Sequence, residues 1–445
     1  MKRWLSGHPP GLATLFGTEM WERLSYYGMR ALLVGYLVKY LLLPGKVEQV
    51  LFYPEVLGFY TALAGPQSAQ SLSSLIYGTY TGLVYATPLL GGWLADNVLG
   101  QRRTALIGMV LMALGHFMMA AEALLFPALL LLILGGGFFK TNTSSQVGLM
   151  YGNGDPRRDS GYAIFYIGIN LGAFLAPFVC GTLGENVGWH YGFAAAGVGI
   201  LLGMAVYLAG WKHLPPDTKP AVKTAPQPLT RQEWQSVGAL LLLVIPLTLY
   251  WACNEQGGNT MSLWAMDHAD RTINLFGWHT AIPFTWFQSV NPFVIFVGTP
   301  LLLAWWQRQG ARQSSTTMKM VTGCLLMTAA NLLMAAVALQ GGNTSWLWLV
   351  AYFAIMTVGE IFLYPTSLSL FSKVAPLRIA SLMMGVVFLP NFLGGGFLQG
   401  WLGTFWDKMD KAVFFAMIAA ISALAGLVIW ALGRPLRPYL EEKTS

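Results

Sequence analysis

Glu19-Met20-Trp21-Glu22-Arg23-Leu24-Ser25-Tyr26-Tyr27-Gly28-Met29-Arg30 sits inside an apolar segment that starts near Gly11. An ionisable side chain in mid-bilayer costs about 3 kcal/mol or more, so charges within such a segment need partners, water or a function. At roughly 100° per residue, Glu19, Glu22, Arg23, Tyr26 and Arg30 fall within an arc of about 100°. A helix over this stretch carries one polar face, and that face must line a cavity instead of meeting lipid.

The rest of the chain is written for the same solvent. Its 445 residues are 55% hydrophobic and 10% charged, where soluble domains carry about 25% charged residues. That contrast excludes an ordinary soluble enzyme. Mean hydropathy is +0.54, and the 50 Gly and 17 Trp suit membrane spans and interfacial belts. A span needs roughly 20 mostly apolar residues. Twelve such segments begin near Gly11, Leu72, Thr104, Phe126, Gly161, Tyr191, Gln235, Asn291, Thr317, Ser345, Ile379 and Lys411. Lys2 and Arg3 precede a charged span with no small-residue cleavage site, so the first span is expected to stay in the mature protein.

The net charge of +7 does not point to nucleic acid, because the basic residues fall at the ends of apolar runs, where they set orientation. Twelve spans place 18 of the 26 Lys and Arg on one side: Lys2, Arg3, Arg102, Arg103, Arg157, Arg158, Lys212, Lys219, Lys223, Arg231, Arg308, Arg312, Lys319, Lys373, Arg378, Arg434, Arg437 and Lys443. Lys39, Lys46, Arg271, Lys408 and Lys411 fall on the other side, and Arg23, Arg30 and Lys140 within spans. A multi-pass protein of the plasma membrane, a bacterial inner membrane, with both termini cytoplasmic is the expectation.

The connection His213–Gln232 holds Pro215, Pro216, Pro220, Pro226 and Pro228 and has a linker's composition. It divides an all-α integral membrane protein into an N-terminal six-helix bundle at 1–211, a cytoplasmic linker at 212–233 and a C-terminal six-helix bundle at 234–445. Transporters built from repeated halves bind their substrate near the bilayer midplane. Cys180, Cys253 and Cys324 are dispersed in apolar stretches and offer neither a disulfide framework nor metal spacing. No metal site and no cofactor is expected.

Seven ionisable groups lie within spans: Glu19, Glu22, Arg23, Arg30, Lys140, Glu255 and Glu360. Four are acids and three are bases, so one bound proton makes the set neutral. This arithmetic makes the proton a candidate co-substrate. Helix-locking ion pairs are the bland alternative.

The run from Glu19 to Arg30 resembles the ExxERFxYYG signature of the proton-dependent oligopeptide transporters, a branch of the major facilitator superfamily. Leu24 stands where the signature has Phe. A second signature, FYxxINxG, is matched by Phe165-Tyr166-Ile167-Gly168-Ile169-Asn170-Leu171-Gly172. Gly137-Phe138-Phe139-Lys140-Thr141-Asn142, Trp251-Ala252-Cys253-Asn254-Glu255-Gln256 and Gly359-Glu360 with Tyr364-Pro365-Thr366 follow in family order. Gly92 to Asp96 and Gly100 to Arg103 resemble the superfamily's loop motif between the second and third spans, whose expected job is latching helices. The resemblance covers nearly the whole chain. The linker is too short for the two extra helices that many bacterial members carry, and Pro390 falls in a segment where an aromatic is usual.

The resemblance implies the major facilitator fold of twelve helices in two six-helix bundles, and a proton-coupled symporter of di- and tripeptides working by alternating access. It assigns proton coupling to Glu19, Glu22, Arg23, Lys140 and Glu255. Peptide binding falls to Tyr26, Tyr27, Arg30, Tyr80, Lys140, Asn170, Trp251, Asn291 and Glu360. A zwitterionic peptide holds its two ends at a nearly fixed separation, so the ends are what a promiscuous site can read. Glu360 would take the ammonium, and Arg30 with Lys140 the carboxylate. Protonation of Glu255 would release Arg30 for that carboxylate, and Glu19, Glu22, Arg23 and Lys140 would form a second network sharing the proton.

Weaker signals carry less. Gly135-Gly136-Gly137 before Lys140 breaks the phosphate-loop spacing and is better explained by close helix packing. His116 suits packing. Pro365 is the preferred hinge among the span prolines. The rival within transporters is a proton-coupled carrier of another small solute, such as nitrate or an organic anion. A membrane enzyme is disfavoured by the absence of a nucleophile-base or metal constellation within spans. Peptide, protons and membrane lipid are the expected partners, nucleic acid is not, and a monomer should suffice.

Overall fold

The computed structural model describes residues 7–152, 155–217, 229–275, 278–376, 379–436 and 438. The charges Lys2, Arg3, Lys219, Lys223, Arg378, Arg437 and Lys443 lie outside them, as does most of the Pro-rich connection.

The first-half helices are α1 Pro10–Tyr36, α2 Tyr53–Ala64, α3 Ala69–Leu94, α4 Gln101–Met118, α5 Leu125–Leu149, α6 Arg158–Ala176, α7 Thr182–Asn186 and α8 Trp189–Ala209. The second half holds α9 Arg231–Asn254, α10 Thr260–Asp267, α11 Val290–Gln309, α12 Thr316–Ala338, α13 Leu347–Val374, α14 Ala380–Val386, α15 Leu389–Phe392, α16 Gln399–Gly403 and α17 Lys411–Gly433. Nine helical runs among the described residues are long and apolar enough to cross a membrane. With α1, α3 and α4 they make up the twelve spans read from the sequence. Most span starts fall within four residues of expectation; the eighth begins earlier, with a 3-10 turn at Phe284–Ser289 leading into α11.

Several long helices are interrupted, not straight. π turns at Leu37–Leu41 and Ala95–Leu99 extend α1 and α3; those at Pro177–Gly181 and Leu393–Leu398 join α6 to α7 and α15 to α16. The span begun by α9 breaks at a 3-10 turn, Glu255–Gly258, before α10. Pro365 interrupts nothing: α13 runs through it, while Thr366 Oγ1 donates to Phe362 O at 2.6 Å and Ser367 Oγ to Tyr364 O at 2.8 Å. Side-chain hydroxyls of this kind re-satisfy backbone carbonyls near a helical proline.

The contacts group into two units that do not follow the linker. The first comprises Met1–Ala69, Ala86–Ala221 and Ile273–Phe293; the second comprises Gln70–Tyr85, Val222–Thr272 and Val294–Ser445. Each unit thus contains a segment from the other half of the sequence.

In the first unit α1 is central, and α6 and α8 press on it through glycines. A Cβ on Gly168 would lie 2.9 Å from Phe16 O, one on Gly172 would be 2.8 Å from Arg23 Cβ, and one on Gly203 would be 3.2 Å from Trp21 Cβ. Small residues of this kind let membrane helices approach closely. The FYxxINxG signature owes its final Gly172 to this packing. The Gly135–Gly137 triplet has the same use: a Cβ on Gly135 would lie 2.6 Å from Gly108 O on α4.

At one end of this unit the Gly100–Arg103 motif grips the chain leaving α8. Arg102 donates through Nε to Pro215 O and through Nη2 to Leu214 O, and its backbone N–H donates to Asp217 Oδ1 at 2.8 Å. Trp211 stacks under the guanidinium at 5.5 Å. Arg102→Ala removes every side-chain tie, and protease cleavage of the 212–233 connection should then speed up about fivefold, the effect of ~1 kcal/mol. An unchanged cleavage rate would rule this anchor out.

Arg157 donates to both carboxylate oxygens of Asp155 (3.0 and 2.7 Å) and to Gly7 O at 2.6 Å, tying the start of α6 to the chain before α1. The hydrogen bonds from Arg157 hold the Asp155 carboxyl down at about 2. Its contribution is therefore complete above the ordinary carboxylate range near ~3.9 and disappears as pH falls through the lowered value. The clasp stays made at every physiological pH.

Candidate functional site

The polar face of α1 is buried, as its charge demands. Glu19 is 3%, Glu22 0% and Arg23 6% exposed. Arg23 Nε sits 3.2 Å from Glu19 Oε1 and also bonds Glu22 Oε2, so one guanidinium is shared by two carboxylates. Thr143 Oγ1, on α5, lies 3.1 Å from Glu19 Oε2. Glu22 Oε1 and Arg23 Nη2 are buried without a hydrogen-bond partner among the described residues. A network with both a spare acceptor and a spare donor can rearrange its bonds without leaving the low-dielectric interior.

Tyr26 joins this cluster to the next basic groups. Its ring lies 5.3 Å from the Arg23 guanidinium carbon and 4.2 Å from Lys140 Nζ, with Tyr27 edge-on at 5.1 Å. Arg30 stands 6.0 Å from the Tyr27 ring. Cation–π contacts of this kind hold a charged head over the face of a ring. Lys140 and Arg30 are half-buried, and Asn170 is buried with its amide donating to Tyr166 O at 2.9 Å. Asn291, half-buried, belongs to this unit as well.

The second unit holds Tyr80, Trp251, Glu255 and Glu360. Glu255 opens the turn that breaks the seventh span and is 6% exposed. A Cβ on Gly395 would come within 3.0 Å of Glu255 Cγ, so the π turn of the eleventh span wraps the acid closely. Trp251, one helical turn earlier, meets Tyr364 edge-on at 5.5 Å. Tyr364 follows Glu360 by four residues on α13, which places that ring and that carboxylate on one helix face. Tyr80 is 2% exposed.

The family model described as the POT family matches residues 102–231 and 227–424. The chain belongs to the POT family. The "uncharacterized transporter YclF" of Bacillus subtilis (strain 168) is 33% identical over 95% of this chain and 93% of its own length. A di-/tripeptide transporter of Lactococcus lactis subsp. cremoris is 30% identical over 97% of this chain and 96% of its own. Among solved structures, a mutant of the peptide transporter POT in complex with alafosfalin superposes with a TM-score of 0.84 at 30% identity, covering 98% of this chain and 96% of that one.

Within the first unit Glu19, Glu22, Arg23, Tyr26, Tyr27 and Lys140 lie together, and Thr143 joins them. Thr143 was not among the sequence candidates, although it lies three residues after Lys140 and so on the same side of α5. Thr143→Val should slow gradient-driven uptake of dialanine into liposomes about fivefold, the effect of one hydrogen bond worth ~1 kcal/mol. A wild-type initial rate would exclude Thr143 from the network.

Proposed function

We propose that this POT-family chain is a proton-coupled symporter that imports di- and tripeptides, a carrier and not an enzyme. The observation that carries the proposal is the buried Glu19–Arg23–Glu22 network with Lys140 and Arg30 beyond the tyrosine pair. Of the seven ionisable groups named within spans, the first unit holds three bases and two acids, an excess of one positive charge. The second holds Glu255 and Glu360, an excess of two negative charges. Charges at membrane depth call for compensation. A peptide carboxylate compensates the first set, while a peptide ammonium and one proton compensate the second.

In this reading Arg30 and Lys140 take the carboxylate and Glu360 the ammonium, with Tyr26, Tyr27, Asn170 and Asn291 as polar neighbours and Trp251 and Tyr80 lining side-chain space. Glu255 carries the transported proton, and Glu19, Glu22, Arg23 and Lys140 form a second network that shares it. Each ligand shifts the balance between outward- and inward-open states through its differential affinity for them. No cofactor is needed beyond the proton, and one chain suffices. The Lys and Arg distribution supports both termini in the cytoplasm of a bacterial inner membrane.

Purified protein in liposomes tests the proposal. Dialanine should accumulate under an inward proton gradient, stop with an ionophore, and be competed by trialanine but not by free alanine. Accumulation of nitrate under the same gradient without peptide uptake would overturn it.

A further inference from the structure

We propose that Glu185 is a latch that closes the outer ends of the fifth and eighth spans on one another, and that loosening it moves the resting protein toward the state open to the outside. This rests on the transporter reading and on the membrane orientation given with it.

Glu185 lies on α7, the last turns of the fifth span. Its Oε2 accepts the backbone N–H of Phe284 at 2.8 Å; its Oε1 accepts the backbone N–H of Thr285 at 3.1 Å and the Thr285 hydroxyl at 2.7 Å. Phe284 and Thr285 open the 3-10 turn that runs on into α11, where backbone N–H groups have no partner in their own helix. One carboxylate satisfies two of them.

Around this contact the fit is close but neutral. Trp286 Nε1 donates to Thr182 Oγ1 at 2.8 Å, Ser289 Oγ donates to Phe174 O at 2.9 Å, and the Phe178 and Trp286 rings meet edge-on at 4.9 Å. A Cβ on Gly181 would lie 2.7 Å from Thr285 Cβ. These are contacts of shape and of uncharged dipoles. The Glu185 carboxylate adds a charge-assisted bond, the stronger kind.

The segment it holds is out of place by sequence. Phe284 and Thr285 follow the linker and the seventh span, yet they pack within the first unit. Alternating access rocks one repeat against the other, so a bond from the fifth span of one repeat to the eighth span of the other has to part in one of the two states. Arg157 and Arg158 stand at the start of α6 on the side read as cytoplasmic, so the fifth span ends outside. The outside is therefore where the latch must open.

The experiment uses the full chain in nanodiscs with no substrate. Cys180, Cys253 and Cys324 are replaced by Ala, and spin labels are attached through Val187→Cys and His279→Cys, both exposed, two residues after Glu185 and five residues before Phe284. The background should give one short-distance population. Glu185→Gln, which keeps size and removes charge, should raise the long-distance population at least threefold. Thr285→Val should raise it less, and the double variant no more than Glu185→Gln alone, because the one bond that the Thr285 side chain makes here is to Glu185. Glu185→Asp should restore most of the short population. If Glu185→Gln and Thr285→Val both leave the distribution of well-folded, monodisperse protein unchanged, the latch is refuted. No solute enters this measurement, so a failed peptide-uptake assay leaves its outcome intact, and an unchanged distribution leaves the transport reading intact.

Discussion

Glu255→Gln should abolish accumulation of dialanine against its gradient, by about 100-fold, while exchange of labelled for unlabelled peptide across the same liposomes stays within about twofold. The substitution conserves volume, which matters because the eleventh span approaches Glu255 Cγ closely at Gly395. The amide keeps an acceptor and a dipole but cannot take up a proton. It also removes one of the two negative charges in the second unit, so the ammonium of the peptide alone then balances that set. A substrate can still bind and cross, but nothing links its passage to the proton gradient. Parallel assays of driven uptake and exchange decide the matter: equal losses in both would mean that Glu255 shapes the protein instead of coupling it, and full driven uptake would remove it from proton handling.

A comparable loss should follow from Gly396→Val, for a reason that has nothing to do with charge. In the second unit the segment Gln70–Tyr85 of α3 meets the eleventh span backbone to backbone. A Cβ on Gly78 would lie 2.7 Å from Gly396 O and 2.8 Å from Gly400 Cα, and one on Gly396 would overlap Gly82 Cα. Overpacking a core typically costs about 1–3 kcal/mol when side chains can shift. Here the obstructing atoms are main chain, with no rotamer to change. Thr81 Oγ1, which donates to Gly395 O at 3.1 Å, and the hydrogen-bonded chain from the Ser74 hydroxyl through the Asn259 amide to the Gln399 amide, at 3.0 and 3.1 Å, would be pulled apart with the helices. We expect uptake to fall at least tenfold and the melting temperature to drop. Gly82→Ala, whose Cβ meets its nearest neighbours at 3.0 and 3.1 Å, should do less. Wild-type uptake and melting in Gly396→Val would show that this approach is not required.

The order of these effects reflects what a sequence can reveal about a membrane protein. The Glu19–Arg23–Glu22 network was legible because a charge inside an apolar run is costly enough to announce itself, and the helical period then placed the three on one face. Lys140, Glu255 and Glu360 were found by the same filter. Thr143 was not, since a threonine on a membrane helix bonds its own backbone as readily as a neighbour. Glu185 escaped for the opposite reason: at the end of a span a carboxylate is cheap, and nothing in the letters says that the first residues of another helix lie against it. The break after Asn254 had a local sign in Gly257-Gly258, but the pairing of Gly78 and Gly82 with Gly396 and Gly400 depends on which helices meet, and that is a property of the assembled fold. The twelve spans followed from composition and length alone. Which segment would pack into which unit did not.

That each unit incorporates a piece of the opposite half bears on how such a gene can be divided or recombined. Fragments 1–217 and 229–445, produced as separate polypeptides, should each lack the partner for one embedded piece, and should purify together when made in the same cell. By the same logic, a chimera joining the first six spans of this chain to the last six of a relative has to match Gln70–Tyr85 and Ile273–Phe293 to their new surroundings, so these two short stretches, more than the linker, govern which hybrids assemble.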